Sequence, residues 1–158
     1  MIEINDQAVL AAFNRLLRAG EQPAPWLNAV GRVLKTRVQM GFHTGADPYG
    51  RPWKPLTSRQ GQPLRDTGRL MNSVTCQVQG NTVVIGTNVK YAPPHQFGAT
   101  IVPKTKPALK FMVNGRWVSV KKVTIPARPM FPLNGLPPLW SEDVLAELSD
   151  FMNHQIQG

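Results

Sequence analysis

At 158 residues the chain is sized for one domain with a real core and not for two. Its hydrophobic content of 42% is that of an ordinary soluble globule, and no apolar run approaches the roughly 20 residues that a membrane span requires. A net charge of +9 points to a polyanionic or acidic partner, while a single cysteine, Cys76, excludes an intramolecular disulfide. That thiol count suits a reducing cytoplasm, and MIEINDQAVL, carrying acid where a leader carries Lys or Arg, reads as no secretory signal.

Residues 1–40 read as helical. Asn5 or Asp6 caps a helix through Ala19, with Val9, Leu10, Phe13, Leu16 and Leu17 on one stripe and Gly20 as its stop. Pro25 opens a second helix, in which Leu27, Val30, Leu34 and Val38 recur at helical spacing and Arg32, Lys35 and Arg37 decorate the other side. Residues 41–68 form a Pro/Gly-rich loop. Within it Asp47-Pro48-Tyr49-Gly50 is a β-turn, and Pro52 and Pro55 bracket Trp53. Phe42 and Trp53 are expected to plug into the core from this loop.

From residue 69 to 133 the period changes to that of strands. Val74, Cys76 and Val78 alternate, Gly80-Asn81 turns, and Val83, Val84 and Ile85 return: a β-hairpin. Asn114-Gly115, between Lys110–Val113 and Trp117–Val120, marks a second hairpin at the end of a projecting basic arm, residues 100–124. Val123 to Leu133 is too rich in proline for a central strand. Ser141 then caps a last helix, 141–156, with Glu142 and Asp143 in its first turn and Val144, Leu145, Leu148, Phe151 and Met152 on its apolar face. Helices, then strands, then a helix define an α+β fold. The expected architecture is a single domain with N-terminal amphipathic helices, a small antiparallel β-sheet of hairpins with a basic arm, and a C-terminal helix.

Charge is segregated along this order. No Asp or Glu occurs from Thr67 to Trp140, a stretch that holds nine Lys and Arg. After Arg128 the sign reverses, with Glu142, Asp143, Glu147 and Asp150 and no base. A field so divided suits a polyanion or a complementary acidic surface.

Catalytic chemistry is poorly supplied. His43, His95 and His154 share no short metal-ligand spacing with one another or with Cys76, so no metal site is expected. Neither a Gly-x-Ser-x-Gly elbow nor a glycine-rich phosphate loop is present. A hydrolase using His95 with Ser73 or Cys76 is conceivable, but orienting acids are lacking, since four of the nine acids lie in the final helix. The expectation is a non-enzyme without cofactor. Tyr91, Phe111 and Trp117 lie among the cations, a composition that suits stacking on bases and sequence-independent contact with a DNA backbone, so a basic DNA-binding accessory protein is the alternative reading.

Five stretches stand in a telling order: Phe42…Gly45…Asp47-Pro48-x-Gly50-x-x-Trp53-x-Pro55-Leu56, Asp66-Thr67-Gly68-x-Leu70-x-x-Ser73, Ile85-Gly86-Thr87, Tyr91-Ala92-x-x-His95-Gln96-Phe97-Gly98, and Ile125-Pro126-Ala127-Arg128-Pro129-x-Phe131. In this order they resemble the virion morphogenesis or tail completion family of tailed bacteriophages, and the chain is similar to the wider group of neck and tail-joining proteins of long-tailed phages. The resemblance spans Phe42 to Phe131, with Lys104–Lys122 resembling a variable insertion. It implies a structural protein of the virion, made in the host cytoplasm, that completes the tail at the head–tail junction. Its implied partners are further copies in a closed, sixfold ring, neighbouring neck and tail-tube proteins, and packaged DNA in the lumen.

On that reading Trp53, Asp66, Gly68, Tyr91, His95, Gln96, Phe97, Gly98, Arg128, Pro129 and Phe131 shape the building block. Tyr91 and Phe97 would anchor a corner that Pro93 and Pro94 stiffen, and His95 and Gln96 would donate hydrogen bonds to its unpaired backbone. Lys104, Lys106, Lys110, Arg116, Lys121 and Lys122 would face DNA or a neighbour, whose acidic C-terminal helix is complementary.

Overall fold

A computed structural model of the chain describes residues 6–20 and 22–156. The Asn5 alternative for the first cap lies outside them. Asp6 is the cap of α1, Gln7–Arg18, its Oδ1 accepting from the Ala8 and Val9 amides at 3.1 Å each. Two first-turn donors that the helix cannot pair are thereby satisfied.

The second helix, α2, runs Pro23–Thr44, longer at both ends than its periodicity suggests. Pro23 and Pro25 both fit the first turn, where amides lack intrahelical acceptors, so the helix starts two residues before Pro25. At the other end Gly45, at φ +69°, takes the left-handed C-cap, four residues beyond the expected start of the loop at residue 41. Phe42 therefore enters the core from a helix, not from the loop.

Three two-stranded antiparallel ribbons follow. After the short helix α3, Arg69–Asn72, β1 (Thr75–Gln79) pairs with β2 (Thr82–Gly86) so that Cys76 faces Ile85 and Gln77 faces Val84. This first ribbon packs on α2, and closely. A side chain at Gly31 would put its Cβ 3.2 Å from the Cys76 sulfur, tighter than ordinary contact. Helix α4, Ala92–Phe97, leads into β3 (Ala99–Ile101), which pairs with β6 (Val123–Ile125). No sequence pattern announces that ladder; it ends at Pro126, which cannot donate. Between β3 and β6, β4 (Leu109–Val113) and β5 (Arg116–Val120) form the Asn-Gly hairpin. Asn114 and Gly115 take φ of +48° and +78°, as a two-residue turn matched to strand twist requires.

The last helix, α5, is Pro138–Ile156 and starts three residues before Ser141. Ser141 is therefore not its cap. Its hydroxyl donates instead to the Asp6 carboxylate, tying α5 to the start of α1. That bond, with the Val9 amide, lowers the Asp6 pKa below the usual carboxylate value.

Two apolar clusters share α2 and α5 as walls. One gathers Val38, Phe42, Trp53, Leu70, Val74, Val89, Met130 and Trp140. The other joins Ala12 and Leu16 of α1 to Trp26, Leu27 and Val30 of α2 and Val144 and Leu148 of α5. Phe13 meets Trp26 edge-on at 4.6 Å. Each large side chain so enclosed contributes about 1.5–3 kcal/mol of burial. The Arg37–Asp143 ion pair spans the α2–α5 seam above this core.

Candidate functional site: the Gln96 corner and the basic hairpin

Three segments meet at one corner: the loop after α2, α4 itself, and residues 128–131 after β6. In the loop after α2, Asp47 Oδ1 accepts from the amides of Tyr49 and Arg51, both at 2.9 Å, closing the expected turn. The Tyr49 hydroxyl donates to the Gly135 carbonyl at 2.8 Å and accepts from the Asn134 amide at 2.9 Å. Trp53 is buried against Phe42, with ring centroids 5.5 Å apart and planes at 79°, and its indole N–H donates to the Pro129 carbonyl at 2.9 Å. Core burial of both rings is as the sequence implied.

Gln96 joins α4 to the third segment. Its Oε1 accepts from the Met130 amide at 2.8 Å and the Phe131 amide at 3.1 Å, while Nε2 donates to the Phe131 carbonyl at 2.9 Å. One amide side chain thus does what a neighbouring strand would do for a stretch too irregular to have one. Arg128, only 5% exposed, does the same for the loop after Trp53: Nε donates to Lys54 O at 2.7 Å and Nη2 to Pro55 O at 3.0 Å. The Arg128 amide donates to the His95 carbonyl at 2.7 Å. Gly98, at φ +75°, is crowded by backbone: a Cβ would lie 3.2 Å from both Ala127 N and Ile125 O, tighter than ordinary contact.

Other expectations for this corner fail. Residues 91–98 are not a stiff turn anchored by rings but the short helix α4 with Tyr91 and Gly98 at its two ends, and its i, i+4 pair Ala92 and Gln96 faces inward. Tyr91 and Phe97 consequently face outward, 43% and 60% exposed. Among the described residues the His95 imidazole donates to no backbone group, and its buried Nδ1 has no hydrogen-bond partner. Burial, then the nearby Arg128 charge, holds its pKa below the usual histidine value. Burial, then Arg59, likewise lowers that of Arg128. Gly68 supplies the left-handed entry to α3, whereas Asp66 is exposed and makes no side-chain hydrogen bond among the described residues.

No nucleophile–base pair emerges here. The Ser73 hydroxyl donates to Leu70 O at 2.6 Å and lies 2.6 Å from the Thr87 hydroxyl, and Cys76 abuts α2 at Gly31. Among the described residues no hydrogen bond joins His95 to either, and no three His, Cys, Asp or Glu side chains converge as metal ligands. Among the same residues no helix is long and apolar enough to cross a membrane.

The second surface is the β4–β5 hairpin. Lys104, Lys106, Lys110, Arg116, Lys121 and Lys122 are all exposed on it or on its approaches. Met112 pairs with Trp117 across the ladder, and these side chains are 54% and 74% exposed. On the opposite face Leu109, Phe111, Val113, Val118 and Val120 are half-buried. Charge segregation was legible in the sequence. That Trp117 stands out of any core was not, because periodicity assigns a face without saying whether a partner layer covers it.

Gln96, Arg128 and Trp53 hold the protein's own backbone here, and six cations and Trp117 stand exposed on or beside an outer ribbon. The chain is an α+β protein, and its family follows from comparison. The chain belongs to the phage virion morphogenesis family, whose sequence model matches residues 4–150. It is 36% identical over 151 residues, 95% of this chain and 94% of the relative, to the Mu-like prophage FluMu G protein 2 of Haemophilus influenzae. No solved structure matches it.

Proposed function

We propose that this virion morphogenesis protein completes the tail at the neck and joins tail to head as a subunit of a closed ring, making and breaking no covalent bond. The observation that carries the reading is the use of Gln96, Arg128 and Trp53, whose polar groups hold backbone of the irregular corner. A ring requires two different adhesive surfaces on each subunit. The basic ribbon and the acidic α5 are the candidates. Immunogold electron microscopy of purified particles should label the head–tail junction, and deletion of the gene should leave unjoined heads and tails. Particles that carry no label, or normal plaques after deletion, would reject the assignment.

A second reading, DNA binding without sequence preference, is favoured by the six exposed cations of the ribbon region. It requires duplex binding whose affinity falls with salt by roughly one logarithmic unit per logarithmic unit of salt for each phosphate contacted. A gel shift that shows no complex at low salt removes it.

A further inference from the structure

We infer that the β4–β5 hairpin of one copy seats its Met112–Trp117 pair in the groove between α2 and α5 of the next copy; the number of copies rests on the ring proposed above, but the contact does not. The hairpin is anomalous as it stands. A lone two-stranded ribbon is marginal in water, and this one pairs with no further strand among the described residues. Its outer face nevertheless presents Met112 and the most exposed of the four tryptophans. Side chains of this kind at the centre of a patch are the usual anchors of an interface, with cations at the rim.

The groove offers the matching features. Ala29, Val33 and Met40 of α2 and Ala146 of α5 make an apolar floor, with Met40 46% exposed. Glu147 and Asp150 form the α5 wall. Asp143 is already paired with Arg37 on the seam, so those two acids are left to meet a visitor. Arg32 lines the α2 side and fixes the direction: Lys110, on the same face of the ribbon as Met112 and Trp117, must approach the α5 wall, where potentials are opposite, and avoid the α2 wall. α5 carries four acids and no Lys or Arg, whereas the acid-free stretch contributes the whole ribbon. Hairpin and groove are different surfaces, so a contact passed from copy to copy is heterologous and closes into a ring where its rotation allows, whereas reciprocal exchange between two copies would stop at a dimer.

The test uses full-length protein with Cys76→Ser. Trp117→Cys and Met40→Cys variants, each verified as folded by circular dichroism, are mixed and oxidised. A disulfide-linked dimer joining one variant to the other is expected. Its absence, or a dominant product in which two copies of the Trp117→Cys variant are linked to each other, overturns the docking. In parallel, Glu147→Lys with Asp150→Lys should weaken self-association roughly tenfold or more in analytical ultracentrifugation, and mixing with Lys110→Glu protein should restore it. Failure of the swap to restore association also counts against the contact. If duplex DNA protects Trp117 from acrylamide quenching while the protein stays monomeric, the ribbon is a nucleic-acid surface and the docking is wrong. A mixed disulfide in free protein, together with absence of the chain from particles, would sustain the docking and sink only the neck assignment.

Discussion

Gln96→Leu separates a polar scaffold from a reactive site. Leucine nearly conserves volume, so the packing of α4 is retained and only hydrogen bonding is lost. Three backbone groups then have no partner: the Met130 amide and both groups of Phe131. Met130 is 3% exposed, so water cannot replace the lost acceptor there. A buried donor left unpaired costs about 1–3 kcal/mol, and the half-buried Phe131 groups, within reach of water, belong at the low end. The sum is about 3–5 kcal/mol, a large part of the roughly 5–15 kcal/mol that holds a domain together. For a chain of this size that lowers Tm by roughly 6–20 °C. Gln96→Glu divides the amide's two roles, because a carboxylate accepts from both amides but cannot donate to Phe131 O. Its deficit relative to the native chain should narrow as pH falls and the acid regains a donor. Calorimetry and urea unfolding at several pH values check both. An unchanged Tm for Gln96→Leu would refute the claim that this side chain stands in for a strand.

Trp53→Ala should cost about 3–5 kcal/mol in urea unfolding, since it empties a ring-sized space beside Phe42, and Trp53→Phe about 1 kcal/mol by removing the bond to Pro129 O. Gly98→Ala, whose Cβ would press on backbone at 3.2 Å, should lower Tm more than Gly115→Ala, which meets nothing within 4 Å and carries only the left-handed penalty of about 1–2 kcal/mol. For His95 the folded pKa lies below the unfolded value near 6.5, so the unfolded chain binds more protons between the two. Stability should therefore fall as pH drops through about 6.5, and His95→Asn should flatten that part of a Tm-against-pH curve.

The regular elements were legible wherever one face had a single job. Leu16 and Leu27 sit in the second cluster because α1 and α2 repeat their apolar stripe often enough to read. Turns were legible for the same local reason: Asn114-Gly115 adopts positive φ at both positions with no help from the rest of the chain. Boundaries were less so. Gly41 looked like a helix end, yet the helix continues to Thr44, because the cap is decided by which glycine can go left-handed and Gly45 does. The β3–β6 ladder was invisible because its three-residue strands are separated by the whole intervening hairpin, and no local pattern encodes a partner that distant.

The corner shows where such reading stops. Histidine beside glutamine suggests paired chemistry, but adjacent positions on a helix point in different directions: Gln96 shares the inward face with Ala92, and His95 is rotated off it. What gives Gln96 its role is the proline-broken strand opposite, Arg128 to Phe131, whose amides need acceptors that no ladder provides. Arg128 meets the same need for the carbonyls of Lys54 and Pro55, on either side of the bond that precedes Pro55. A chain with 15 prolines leaves many backbone groups without sheet or helix partners, and its buried polar side chains are the groups that pair them. Gln96 and Arg128 are thereby fixed in place by the fold, while Trp117 and its surrounding lysines stand exposed on the ribbon.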